Sequence, residues 1–215
     1  MRNYENGRSM VEMLGVLAII GVLSAGGLAG YNKAMMQHKL NKNAEQIGYL
    51  LSVAIYNNDK LKDASRDMIT ELKALGAYSW DAKFQEQKDG YNFVYDSLGN
   101  VLGFEHTSGG STAIRIELPA SDFAVKICQN YINVFKSFAD DLDMVYVSNF
   151  NLTEGTSSHL RYAGTKYCNS DKCLKDVTNA DIIPLCTTHC TNAEYCNLYA
   201  LWDYPESTAR ALLGQ

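Results

Sequence analysis

Two apolar patterns follow one another near the N-terminus of the chain. From Met13 to Asn32 no residue carries a charge, a run of 20 residues. A helix rising about 1.5 Å per residue would span about 30 Å over that length, the thickness of a bilayer's hydrocarbon core. Then the pattern changes. Met36, Leu40, Ala44, Ile47, Leu51 and Ala54 recur at steps of three and four, while Lys39, Lys42 and Glu45 take other faces. Together these predict one helix of about 45 residues, lipid-like in its first half and amphipathic in its second, ended by Asn57-Asn58-Asp59. The stripe is too short for a coiled-coil seam, so a folded body should cover it.

Further along, a second helix is predicted from Ser65 to Leu75, with Met68, Leu72 and Leu75 inward and Gly76 as its stop. The segments YNFVYD and VLGFEH flank SLGN as a hairpin, and TAIRIEL alternates after TSGGS. Pro119-Ala120-Ser121 announces another helix, with a stripe of Phe123, Ile127, Tyr131, Val134, Phe138 and Leu142. MVYVSNFNL and CNLYALWDY read as later strands. Helices and antiparallel strands around one core make an α+β body.

Composition narrows the class. At 215 residues, 47% hydrophobic and 20% charged, the chain suits one globular domain with an appendage. The net charge of −5 leaves no basic footprint, so no nucleic-acid partner is expected. Of the six cysteines, Cys128 stands alone and Cys168, Cys173, Cys186, Cys190 and Cys196 crowd the last quarter. An even count, no CxxC pair and a membrane-directing N-terminus favour disulfides outside the cytoplasm. Six cysteines allow 15 pairings, and sequence does not choose among them.

Other chemistry in the tail is weaker. CTTHC places His189 between Cys186 and Cys190, and Cys168 with Cys173 could complete a zinc site, but the spacing fits no common zinc pattern. Asp171, Asp176, Asn179 and Asp181 are oxygen ligands in search of a cation, in a spacing that matches no ordered calcium loop. No metal or cofactor is therefore expected. The histidines His38, His106, His159 and His189 are scattered, and no GxSxG, HExxH or phosphate-loop motif occurs, so the chain reads as a non-enzyme.

The pointed feature is Glu12, at the rim of the uncharged run. A carboxylate inside lipid costs about 2.5–3.5 kcal/mol on insertion scales, so it persists where it is paired or interfacial. A secretory signal peptide would end its shorter apolar region at a small-residue site. Ser24-Ala25-Gly26 imitates one, but the apolar character continues to Leu28 and Tyr31. A plain anchor helix explains the length and leaves Glu12 as an interfacial acid. A third reading uses the acid. Gly7 precedes Arg8-Ser9-Met10-Val11-Glu12, and Ala18-Ile19-Ile20-Gly21 lies in the run behind it. This order resembles the N-terminus of type IV pilins and type II secretion pseudopilins, over roughly residues 1–35. In that family a prepilin peptidase cuts after the Gly, and the fifth residue of the mature chain is Glu.

The resemblance implies a division into a cleaved leader 1–7, a hydrophobic transmembrane and assembly helix 8–32, its amphipathic continuation 33–58, and an α+β head 59–215 with a disulfide-rich tail 168–196. Gly7 and Arg8 become the processing site. Glu12 becomes an assembly key that pairs with the new α-amine of a neighbouring subunit and so fixes axial register. The implied partners are copies of the chain itself, the prepilin peptidase, a pilus or secretion assembly platform, and membrane lipid before assembly. The implied location is the bacterial inner membrane as a single-pass protein, then a periplasmic or surface filament. Arg8 stands where the family usually has Phe, Met or another apolar residue, which bears on N-methylation and adds a charge near Glu12. The leader is short and weakly basic, and the family's common Pro near the end of the run is replaced by Ala29. A disulfide from the helix after Pro119 to the C-terminal region resembles the larger type IVb pilins, with Cys128 expected to pair within the cluster and Cys196 the favoured partner. Two alternatives stay open beside a pilus subunit. One is a pseudopilin of a secretion machine. The other is a minor tip subunit or adhesin, whose aromatic tail EYCNLYALWDY would meet a ligand or DNA.

Overall fold

The computed structural model describes residues 6–62, 68–86, 92–107, 110–151, 156–169, 172–191 and 194–213. They fall into two compact units, 1–41 and 42–215. Helix α1, Asn6–Tyr56, runs through the first unit and into the second. In the second unit its residues Asn43, Gln46, Ile47, Leu50, Leu51 and Ala54 are buried, the three-and-four spacing of one helix face. Ile47, Leu51 and Ala54 were read from the sequence; Asn43 and Gln46 were not, because both are polar. The helix ends at Tyr56, one residue before the predicted Asn57-Asn58-Asp59 stop, and a single short turn α2, Asn58–Leu61, follows.

Helix α3 spans Ile69–Ala74 with Ile69 and Leu72 buried, and Gly76 takes a positive φ of 70° just beyond it. This is shorter than the predicted 65–75, of which 65–67 lie outside the described residues. The strands are β1 Lys83–Glu86, β2 Asn92–Tyr95, β3 Val101–His106 and β4 Thr112–Pro119. Helix α4, Asp122–Lys136, comes next. Then follow β5 Met144–Asn151, β6 Thr156–Ala163, helix α5 Asn179–Cys190, β7 Tyr195–Trp202 and helix α6 Glu206–Leu213. All seven strands form one antiparallel sheet in the order β1-β2-β3-β4-β7-β5-β6. The α+β class, the long helix on an antiparallel sheet and the disulfide-rich tail are thus present.

Ser121 caps α4 by accepting a hydrogen bond from the Ala124 N–H, as its place after Pro119-Ala120 suggested. The buried stripe of α4 is Ala124, Ile127, Cys128, Tyr131, Ile132 and Phe135. The predicted stripe ran further, but the helix stops at Lys136, so Phe138 and Leu142 lie in the turns beyond it. One face of the sheet carries fully buried Ile114, Ile116, Leu118, Val145, Val147, Leu198 and Ala200, alternating along each strand. The β2–β3 turn is fastened to this core by a buried acid. The Asp96 carboxylate accepts from the N–H groups of Leu98 and Asn100, from the Asn100 amide and from the Tyr131 hydroxyl of α4. Asn43 of α1 donates to Ser97 in the same turn, which gives that polar helix position its reason for burial.

Candidate functional site

In the first unit, Gly7 and Arg8 lie in the first turns of α1, and Glu12 is exposed a turn further on. The large apolar side chains of the uncharged run Met13–Asn32 are exposed too: Val22 at 74%, Leu23 at 68% and even the least exposed, Ile20, at 53%. Of the described helices, α1 is the one long and apolar enough to cross a membrane, over the 47 residues Met10–Tyr56, and none of its most apolar window is buried. Five glycines lie between residues 10 and 32. A Cβ added at Gly15, Gly21, Gly26, Gly27 or Gly30 would meet no atom within 4 Å. Each weakens a helix by about 0.8–1 kcal/mol relative to Ala, and nothing within the unit requires any of them.

In the second unit, the six cysteines form three disulfides. Cys128 of α4 does pair into the C-terminal cluster, but with Cys186 rather than the expected Cys196. Cys196 opens β7 and pairs with Cys190 at the end of α5. The reason is α5, a helix the sequence pattern did not predict. Its i, i+4 spacing sets Cys186 toward α4 and leaves Cys190 one turn later, facing the start of β7. The two bridges adjoin, for the sulfurs of Cys128, Cys190 and Cys196 lie within 4.8 Å of one another. Closing the loop from Cys128 to Cys186, 58 residues apart, contributes about 4 kcal/mol in the chain-entropy model.

The signal for α5 was present. Thr178-Asn179-Ala180-Asp181 before Ile182-Ile183 is a capping box, masked by Pro184 inside the helix. Asp181 accepts from the Thr178 N–H at 2.9 Å and from its hydroxyl at 2.6 Å, and these bonds hold its carboxyl below the ordinary range. Asn179 is the first helical residue, Asp176 sits exposed in a 3-10 turn, and Asp171 lies outside the described residues. His189 is buried with Nδ1 at 2.9 Å from the Leu185 carbonyl, one turn back on the same helix.

A second arrangement had only one sequence cue, the aromatic tail. On the sheet face opposite the helix-covered one, the strand register sets Arg115, Tyr199, Tyr146 and Arg161 in one row across β4, β7, β5 and β6. The rings of Tyr146 and Tyr199 stack at 4.3 Å and 15°. The next row brings Asn197, Ser148 and His159 together. With Met144 and Leu201, these side chains other than Arg115 line a cavity of about 400 Å³. Burial raises both phenols above the usual range, so they stay hydroxyl donors. The Asn197 Oδ1 is buried and without a hydrogen-bond partner among the described residues.

No family model matches the chain, and no curated protein or solved structure does either. The class therefore rests on the fold: a long apolar N-terminal helix, an antiparallel sheet and disulfides, a pilin-like architecture. One helix is long and apolar enough for a membrane anchor.

Proposed function

We propose that this chain is a structural, non-enzymatic subunit of a type IV pilus-like filament. The prepilin peptidase cuts it after Gly7, and it polymerises through the helix that begins at Arg8. One observation carries the reading. Residues 10–31 hold an apolar helix surface that the described residues do not cover, interrupted by glycines that nothing within the unit requires. Lipid covers such a surface before assembly, and neighbouring helices cover it afterwards. Glycines let those helices approach closely. An acid within the bundle is tolerable where it meets a positive group, and the α-amine created at Arg8 supplies one from the adjacent subunit. The oxidised body suits an exported domain.

Two measurements test this. N-terminal sequencing and intact mass of protein from membranes should give a mature start at Arg8. A start at or after Ala25 would restore the signal peptide instead. Glu12→Leu should leave a precursor that inserts, is cleaved and keeps its disulfide-linked body, yet forms few or no filaments. Assembly equal to the parent at matched expression would reduce Glu12 to an interfacial acid.

A further inference from the structure

We propose that the cavity on the open face of β5, β6 and β7 binds a carboxylate-bearing sugar, with Arg161 holding the acid and Asn197 and Ser148 the hydroxyls. The inference rests on the body alone and stands whether or not the chain polymerises. Its first support is polar side chains the fold leaves idle. Arg161, His159, Ser148 and Asn197 project into one cavity from adjacent strands. None of the four side chains has a hydrogen bond or ion pair among the described residues, and the buried Asn197 Oδ1 has lost water without gaining a donor. An idle buried acceptor is costly unless something completes it, and a hydroxyl can. By contrast Arg115, in the same row, is engaged with Glu117 at 3.7 Å.

Shape and charge select the ligand class. A volume of about 400 Å³ lies at the small end of ligand cavities, suited to one or two sugar rings. Each tyrosine has one ring face covered by the other, so the pair offers hydroxyls and ring edges more than an open platform for a flat base. The charge is divided. Arg161 and His159 stand over β6, while Glu105 acts on both tyrosines from β3 and Glu117 acts on Tyr199 from β4. A multiply charged phosphate would meet those acids. A single carboxylate over β6, with a neutral hydroxylated ring extending toward β7, would not. Arg161 also brings the planar fork that matches a carboxylate in two bonds.

The test uses the full chain in detergent micelles, titrated calorimetrically with D-glucuronic acid, N-acetylneuraminic acid, D-glucose and acetate. At least one of the two sugar acids should bind about tenfold tighter than both glucose and acetate, the weight of one charge-assisted hydrogen bond at a partly exposed site. Arg161→Gln should remove that preference, and Arg161→Lys should restore part of it. Asn197→Leu should weaken the sugar acid while leaving acetate unchanged. Arg161 is half-buried on the edge strand β6, so an unchanged thermal melt certifies the variants. Three results would overturn the proposal: neither sugar acid binding, acetate binding as well as the sugar acid, or a preference that survives Arg161→Gln.

Discussion

Helix α1 contains both halves of an instructive contrast. Around Ile20 and Val22 its large apolar side chains are more than half exposed, whereas Ile47, Leu50 and Leu51 are fully buried. Side chains of the same kind sit on one helix, with opposite outcomes. What differs is the pattern of their neighbours. In the first segment apolar residues surround the helix, so no single packed face could cover them. In the second, Lys42, Glu45 and Tyr49 occupy the exposed positions and leave one stripe for the body. An apolar residue by itself says only that it avoids water, and the arrangement around it says whether the cover lies within the chain or outside it. Polar groups in the second unit are likewise served from within it, as Asp96 and Asn43 show.

If this division holds, changes in the body should unfold it without touching membrane insertion. The largest effect is expected at Gly164, where a Cβ would sit 1.6 Å from the Leu142 carbonyl oxygen. Backbone cannot yield as a flexible side chain would, so Gly164→Ala should cost about 4 kcal/mol or more. Limited proteolysis should show the body degraded while the N-terminal helix stays in the membrane fraction. Loss of the membrane-bound form as well would break the contrast.

A smaller effect, dependent on pH, is expected at Asp143. Burial raises its carboxyl above the ordinary value, against the pull of the Tyr204 N–H at 2.6 Å and of Lys166 at 3.8 Å. A native pKa raised above the unfolded one means that the folded body holds the proton more tightly. Its contribution is full below about pH 4, the ordinary carboxylate value, and is lost as pH rises through the raised native value. Asp143→Asn should therefore flatten the fall in melting temperature over that window. A calorimetric pH series on parent and variant reads the difference, and an unchanged slope would reject it.

The smallest effect on the body is expected from Gly15→Ala, Gly21→Ala and Gly26→Ala combined. The added methyls meet nothing within the unit and strengthen the helix by about 2–3 kcal/mol in total. The melting temperature of the body should stay where it was. Filament yield should fall if these positions are where helices of neighbouring subunits approach. Unchanged yield would assign the glycines to helix flexibility instead.

Much of the fold could be read from such patterns. The hairpin of β2 and β3, the alternation of β4 and β7, the long helix and the Ser121 cap all follow from local spacing. Strand β6 did not, because TSSHLRYA lacks a clean apolar alternation. It lies at the sheet edge, where polar side chains are tolerated on both faces. Strand β1, KFQE, is short and lies at the opposite edge. Helix α6 was passed over as well, although its burial of Ala209 and partial burial of Leu213 cover one end of the outer sheet face. The row beside the cavity is harder still. Arg115, Tyr146, Arg161 and Tyr199 become neighbours only through the register of β4, β7, β5 and β6, which no local motif encodes. Tyr199 alone was flagged, as part of an aromatic tail.

The place of β7 has a consequence for biosynthesis. It enters between β4 and β5, and its Trp202 indole donates to Asn58 at 3.0 Å, beside the end of α1. Every earlier strand emerges from the ribosome before this central one. Until residue 202 is available the nascent body consists of two ribbons, β1–β4 and β5–β6, with raw edges on β4 and β5 and Ile114, Ile116, Val145 and Val147 awaiting cover. Such a topology has high contact order, folds slowly and exposes aggregation-prone edges while it waits. A body truncated after residue 194 should therefore stay open and engage holdase chaperones, whereas one that includes Trp202 can close the sheet after export, with Cys190 and Cys196 ready to lock the last strand at its root.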